Sequence, residues 1–187
     1  MTLRHARRWG SNDRPMSDLF ALVRDVPDFP RPGILFKDLT PLFRDPGAFR
    51  ALVVALAEPY RDARVDAVLG VEARGFILGA AVALHLGAGF VPARKPGKLP
   101  AKCDREGYSL EYGTDALELH LGSFGPGDRV LIIDDVIATG GTARAAVTLA
   151  RRQHADLVGA AFAVELDFLR GRDLLPPDLA VTSLLHV

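Results

Sequence analysis

The chain has 187 residues, with 23 Lys+Arg balanced by 23 Asp+Glu; 49% of residues are hydrophobic and 25% charged. That fits one globular domain with a sizeable core and excludes a disordered chain, and a net charge of zero gives no electrostatic reason to expect nucleic acid or a membrane surface as partner. A single cysteine, Cys103, excludes an intrachain disulfide framework and any multi-cysteine metal site, and fits a reducing, cytoplasmic compartment.

Residues 1–15 carry Arg4, Arg7, Arg8 and Arg14 against Asp13, a net +3, so the remaining 172 residues sum to −3. This basic tail has no apolar h-region and is not a secretory signal. It reads as a disordered terminus or a basic anchor, with Met16 an expected alternative start. Ser17 to Val26 reads as a short helix with Ser17 as its N-cap, followed by a Pro/Gly-punctuated irregular stretch to Gly33. Asp45-Pro46 opens a helix whose apolar stripe is Phe49, Leu52, Val53, Leu56 and Tyr60. Asp66–Val71 reads as a buried strand. Gly75–Ala93 runs 19 residues without a charge, but its glycines, Pro92 and His85 fit a buried helix ending near Gly87, then a strand over Phe90–Ala93, better than a membrane span. Residues 94–114 are expected to form a long polar loop. Leu117–His120 and Arg129–Ile133 read as strands, Gly140–Arg152 as a helix, and Leu157–Val164 as a further strand. A short helix over 168–175 and a strand over 179–186 complete the chain.

Strand and helix in alternation imply an α/β fold: a parallel sheet flanked by helices, with ligands beyond the carboxyl ends of the strands. The segment Val130–Thr142 (VLIIDDVIATGGT) fits that position. A buried strand ends in Asp134 and Asp135, and a small turn of Ala138, Thr139, Gly140, Gly141 and Thr142 feeds straight into a helix. Such a turn presents several N–H groups, two hydroxyls and a helix dipole to one anion. The adjacent carboxylates suit sugar hydroxyls, so the pattern suggests a ribose 5-phosphate. Neither a Walker A sequence nor a G-x-G-x-x-G fingerprint occurs.

This segment resembles the 5-phosphoribosyl 1-pyrophosphate (PRPP) signature of the type I phosphoribosyltransferases. Four further blocks, in family order, narrow the resemblance to the adenine phosphoribosyltransferases: Phe29–Asp38 (FPRPGILFKD) with Pro41-Leu42, Gly70–Phe76 (GVEARGF), Arg94–Pro100 (RKPGKLP) and Tyr108–Gly113 (YSLEYG). The match covers residues 17 to 187. It implies a core sheet with a small hood and a mobile lid over about 94–114, within one domain spanning 16–187. The implied reaction is adenine plus PRPP to AMP plus pyrophosphate, in purine salvage. By the same resemblance Asp134 and Asp135 bind the ribose hydroxyls, Ala138–Thr142 the 5-phosphate and Arg74 the pyrophosphate. Mg²⁺ is held chiefly by PRPP oxygens, with no dedicated protein site. Adenine is read by backbone groups near Leu35 and Lys37, with Phe36 against the ring, and the enzyme is a homodimer.

Arg74 supplies a planar fork suited to phosphate oxygens. Arg94, Lys95, Lys98, Lys102 and Arg105 against Asp104 and Glu106 give residues 94–106 a charge of +3, fitting a lid over pyrophosphate or a solvated face. The resemblance has the first of these cations reaching a neighbouring subunit. Glu111 is the acid/base candidate, because attack by purine N9 requires loss of a proton, and Tyr112 caps the lid. Glu72 is expected to orient the loop beside Arg74. Cys103 reads as a plain loop thiol, and the five histidines form no metal motif. Residues 103–107 (CDREG) depart from the family's lid, and Lys37 stands where Arg is also common. Two alternatives remain at this point: a phosphoribosyltransferase for another nucleobase, and a non-catalytic PRPP-sensing regulator. The regulator would need a nucleic-acid-binding module that about 16 leading residues do not supply.

Overall fold

The computed structural model describes residues 15–29, 31–109 and 114–187. The basic tail, Glu111 and Tyr112 lie outside the described residues. The chain divides into two compact units, one ending at Leu52 and the other beginning at Val53.

In the first unit, α1 spans Met16–Phe20 with Pro15 rather than Ser17 at its N-cap. Ser17 lies inside the helix, where its hydroxyl donates to Asp18 Oδ1 at 3.4 Å. The helix stops short of the expected Val26 because the chain turns into β1 (Arg24–Pro27), which pairs antiparallel with β2 (Leu35–Asp38). The stretch read as irregular is therefore partly a hairpin. Two ion pairs along it hold the register: Arg24–Asp38 at 2.5 Å and Lys37–Asp25 at 2.7 Å. Asp38 also accepts the backbone N–H of Thr40 at 2.9 Å and its hydroxyl at 3.0 Å, ahead of the short helix α2 (Thr40–Arg44). The helix opened by Asp45-Pro46 forms as expected: in α3 (Pro46–Ala57), Asp45 Oδ1 accepts the Ala48 N–H at 2.7 Å.

The second unit is built on five parallel strands: β3 (Ala67–Val71), β4 (Gly89–Ala93), β7 (Arg129–Ile137), β8 (Asp156–Glu165) and β9 (Val181–His186). Their order is β4-β3-β7-β8-β9. The chain thus starts in the sheet at β3, crosses one way to β4, and returns to lay down β7 on the other side. The point of reversal lies between β3 and β7, where α/β sheets open a crevice at their carboxyl ends. Helix α4 (Arg74–Leu86) follows β3 and ends at Gly87, as the sequence implies; helix α5 (Gly141–Arg152) follows β7. No helix among the described residues is long and apolar enough to cross a membrane. Leu69, Val71, Val130, Ile132 and Phe162 form one buried core with Ala143, Ala146, Val147 and Ala150 of α5.

The expected long loop over 94–114 is a correction. Residues Cys103–Ser109 form β5, which pairs antiparallel along its whole length with β6 (Thr114–His120). Arg94 makes an isolated bridge to Glu118, and the Gly97 N–H donates to Glu118 Oε2 at 2.9 Å, so the turn between Arg94 and β5 is tied back to β6. The sequence of β5 hides the strand because its neighbours are polar. Tyr108 joins Leu117 and Leu119 of β6 in the core, while Asp104 and Glu106 reach Arg152 of α5 at 3.4 and 2.5 Å. Tertiary pairing here outweighs a weak local pattern.

Tyr60, in a 3₁₀ turn after α3, is 4% exposed; its hydroxyl donates to Ala160 O at 3.2 Å and lies 3.2 Å from Thr182 Oγ1. Tyr60→Phe leaves the ring and removes that tie, at a cost of about 0.5–1.5 kcal/mol. In a chain of this size each kcal/mol shifts the melting temperature by about 2–4 °C, so calorimetry is expected to show a small downward shift and would refute the tie by showing none.

Candidate active site

The site is assembled at the reversal point. The turn after β3 delivers Arg74, the first residue of α4; β7 delivers Asp134 and Asp135 and runs to Ile137, four residues beyond the strand read over Arg129–Ile133. Arg74 Nε donates to the Asp135 carboxylate, whose side chain is 7% exposed. The cation assigned to pyrophosphate and one carboxylate assigned to ribose are thus in direct contact, although 61 residues separate them. The close approach of the two segments needs Gly75: a Cβ there would lie 2.7 Å from Asp134 Oδ1 and 2.9 Å from the carbonyl oxygen of Ile133.

Asp134 accepts the backbone N–H of Asp135 at 2.8 Å. Burial first, then the charge of neighbouring Asp135, push its carboxyl well above the usual carboxylate range, against the smaller pull of Arg74. Beyond β7 the turn Ala138–Thr142 leads into α5 with Gly140 at its N-cap in a left-handed conformation (φ +80°). The first N–H groups of α5 have no intrahelical acceptor. They face the end of the helix that carries positive dipole, where an anion is stabilised.

Arg94 and Lys95, expected to belong to a lid, are placed by partners that the sequence reading did not foresee. Glu72, expected to orient the loop beside Arg74, binds Arg94 and Lys95. It accepts from Arg94 Nε at 3.1 Å and Nη2 at 3.4 Å, and from the Lys95 backbone N–H at 2.9 Å. Burial raises its carboxyl, but the Lys95 N–H and the Arg94 guanidinium outweigh burial and hold it below its ordinary value. Arg94 Nη1 donates to Lys98 O at 3.0 Å, fixing the start of the loop. Lys95 Nζ donates to Tyr108 Oη at 2.6 Å and to the Asp115 carboxylate. Desolvation lowers the Lys95 ammonium, yet these two bonds outweigh it and raise it overall. Asp115 and Tyr108 are therefore positioning partners; Tyr108 opens the YSLEYG block, but no motif marked Asp115, and a carboxylate at the second position of β6 carries no signal until the hairpin register is known.

The three residues read as adenine contacts lie together on β2 in the first unit. Leu35 is 48% exposed, Phe36 packs edge-on against Phe29 with ring centroids 5.2 Å apart, and the Lys37 ammonium is committed to Asp25. Cys103 has its thiol raised by burial and donates to Ala101 O at 3.2 Å.

The elevated Asp134 gives a signed expectation. A carboxyl that holds its proton more tightly when folded destabilises the fold as pH rises from the unfolded value, about 3.9, through the folded one. Asp134→Asn keeps the oxygen that accepts from Asp135 and removes that penalty. The variant is expected to melt about 2–4 °C above the parent at pH 7, with the gap closing as the pH is lowered towards about 4. Parallel melting curves across that range would show Asp134 to be an ordinary carboxylate.

Residues 43–184 match the family described as "Phosphoribosyl transferase domain". An adenine phosphoribosyltransferase of Synechococcus sp. (strain JA-3-3Ab) is 58% identical over 163 residues, 87% of this chain and 93% of that protein. The crystal structure of adenine phosphoribosyltransferase from Rhodothermus marinus superposes with a TM-score of 0.89 at 50% identity, covering 92% of this chain and 98% of that one. The Saccharomyces cerevisiae enzyme, solved with an imino-altritol bisphosphate and adenine, superposes with a TM-score of 0.85 at 42% identity, covering 90% and 97%. Identity of this order along nearly the full length of the relatives, on the same parallel sheet, makes the chain a member of the phosphoribosyl transferase family and, within it, of the adenine phosphoribosyltransferases.

Proposed function

We propose that the chain transfers the 5-phosphoribosyl group of PRPP to N9 of adenine, giving AMP and pyrophosphate in purine salvage. The observation that carries this reading is the contact between Arg74 and Asp135 at the reversal of the sheet, beside the Ala138–Thr142 turn. In it the turn takes the 5-phosphate, Asp134 and Asp135 take the ribose hydroxyls, and Arg74 releases its fork to the diphosphate. The N9 lone pair forms the new bond to C1′ as the bond from C1′ to the diphosphate oxygen breaks. Charge then builds on the leaving group, where Arg74, Arg94, Lys95 and Lys98 supply cations.

Mg²⁺ enters as part of the substrate, bound to PRPP oxygens, and when bound supplies further charge to the departing diphosphate. The protein's donor set suits that arrangement, since Asp135 is already paired with Arg74. Adenine is read by the backbone of β2 at Leu35 and Lys37, with Phe36 against the ring. Because β1 and β2 form a two-stranded sheet, β2 has one ladder edge open to a purine's donors and acceptors, and the Lys37 side chain is occupied elsewhere. Glu111 takes the purine proton and Tyr112 belongs to the lid.

A homodimer in the cytoplasm completes the reading. On α4, Ile77 and Leu84 are 46% and 80% exposed, with Ala80 and Ala81 between them, and Phe90 of edge strand β4 is 37% exposed. A second copy of the chain would cover this apolar stripe. Leu84→Asp is expected to shift the sedimentation coefficient to that of the monomer; an unchanged assembly would place the interface elsewhere.

The decisive experiment is pyrophosphate release from PRPP and Mg²⁺ with a panel of bases, in which adenine alone is expected to support turnover. Release with hypoxanthine or guanine and not adenine would overturn the specificity. Glu111→Gln is expected to lower kcat by roughly 10²–10⁴ while PRPP binding persists, and a near-normal kcat would remove Glu111 from the proton transfer.

A further inference from the structure

The Ala138–Thr142 turn rests on another piece of backbone. A Cβ on Gly171 would collide with the Ala138 carbonyl oxygen and the Gly140 nitrogen, and a Cβ on Gly140 would collide with the Gly171 carbonyl. The two main chains touch directly, so wherever Gly171 goes the turn must follow. Gly171 opens the 3₁₀ turn Gly171–Leu174, and the next residue, Arg172, ties that turn to the sheet.

The guanidinium of Arg172 is used on every side. Nε donates to Glu165 Oε1 at 3.0 Å and Nη2 to Glu165 Oε2 at 2.5 Å, a two-bond fork at the end of β8. Nη1 donates to Val181 O at 2.9 Å and Nη2 to Ser183 Oγ at 3.3 Å, both on β9. The Glu165 side chain is 7% exposed, and the Arg172 fork holds its carboxyl below the usual range despite burial. Glu165 also converges with Asp167 and His186, their ligand atoms lying within 4.8 Å of one another. Because both Glu165 oxygens already accept from Arg172, this cluster serves as an anchor for the arginine.

We propose that Arg172, through its fork on Glu165, is a positioning residue that holds Gly171 against the Ala138–Thr142 turn and so fixes the turn in the shape that receives a 5-phosphate. It touches no substrate and acts through backbone contact alone. The proposal rests on the assignment of the 5-phosphate to this turn. Its effect is selective: ligands that carry a 5-phosphate depend on Arg172, whereas pyrophosphate, bound beyond the turn at Arg74, does not.

The test measures dissociation constants of ribose 5-phosphate and of pyrophosphate by calorimetry on the full chain, together with KM for PRPP, kcat and melting temperature. A misplacement of about 1 Å at a binding group costs up to about 10²-fold. On that scale Arg172→Met is expected to raise the ribose 5-phosphate dissociation constant and the KM for PRPP about tenfold. Pyrophosphate affinity and kcat are expected to stay within about twofold. Arg172→Lys, which keeps the charge and loses the fork, is expected to fall between the two. If Arg172→Met does not fold, Glu165→Gln carries the test, with a smaller shift in the same direction and the same selectivity. Equal weakening of both ligands, or a lowered melting temperature with both affinities intact, would overturn the proposal by showing a purely structural role. Thr142→Ala separates the premises. Loss of ribose 5-phosphate binding there, with none in Arg172→Met, overturns the positioning role and keeps the turn as the phosphate site; no change in either variant overturns the assignment of the turn itself.

Discussion

The second unit depends on close backbone approach at the carboxyl end of its sheet. Gly75 lets the start of α4 lie against Asp134, and Gly140 and Gly171 let the turn before α5 lie against the turn after β8. Interiors are packed too densely for a side chain to be inserted at such points without moving the main chain. What results is a surface of peptide groups and not of side chains, framed by the ends of β3, β7 and β8. A phosphate monoester needs many short donors around a small volume, and N–H groups at a helix start supply them without a long side chain's loss of rotamer freedom.

Electrostatic pairing follows from that frame. The formal charge of the chain is zero, and around the candidate site the balance is kept pair by pair. Arg74 is matched to Asp135, Arg94 to Glu72, Lys95 to Asp115 and Arg172 to Glu165, each across the gap between two elements. In every pair the carboxylate is the more buried partner and the cation the more exposed one. The carboxylates therefore act as fixtures. On the proposed reading, a polyanion that draws Arg94 or Lys95 away leaves no carboxylate without donors at those two pairs: Glu72 keeps the Lys95 N–H, and Asp115 keeps the Tyr108 hydroxyl and the Ala116 N–H.

Those parts of the fold whose local pattern and tertiary fate agree were legible in the sequence. Val130–Ile133 is apolar because β7 lies at the centre of the sheet, and Ala143, Ala146, Val147 and Ala150 repeat at helical spacing because that face of α5 covers it. The small turn between them, with two carboxylates before it, was legible as a strand end feeding a helix start. The hairpin of β5 and β6 was not legible. Asp104, Arg105 and Glu106 read as a solvated run, and only the presence of Arg152 on α5 gives two of those charges a partner 46 to 48 residues away. β1 and β2 were hidden for a related reason: cross-strand ion pairs mark their register, and Pro27 and Gly33 at their junction read as punctuation. Helix α1 ended early because its continuation is claimed by β1. Gly171 and Arg172 carried no signal at all, since a glycine that supports another glycine resembles any turn residue.

The elevated Asp134 links the frame to the chemistry. Two adjacent carboxylates at the end of a buried strand cannot both be ionised cheaply, and the structure resolves the conflict asymmetrically. Asp135 is given to Arg74, while Asp134 takes the burden of burial and of its neighbour's charge. The two carboxyls are therefore unlike: Asp134 is pushed towards its protonated form, and Asp135 is held by Arg74. In the proposed reading, ribose hydroxyls, each both donor and acceptor, complement such an unlike pair. In the proposed reaction, Arg74 turning to a diphosphate would leave Asp135 to the sugar's hydroxyl donors, and the same reversal of the sheet that brings Arg74 beside Asp135 would couple the binding of the sugar to the neutralisation of the leaving group.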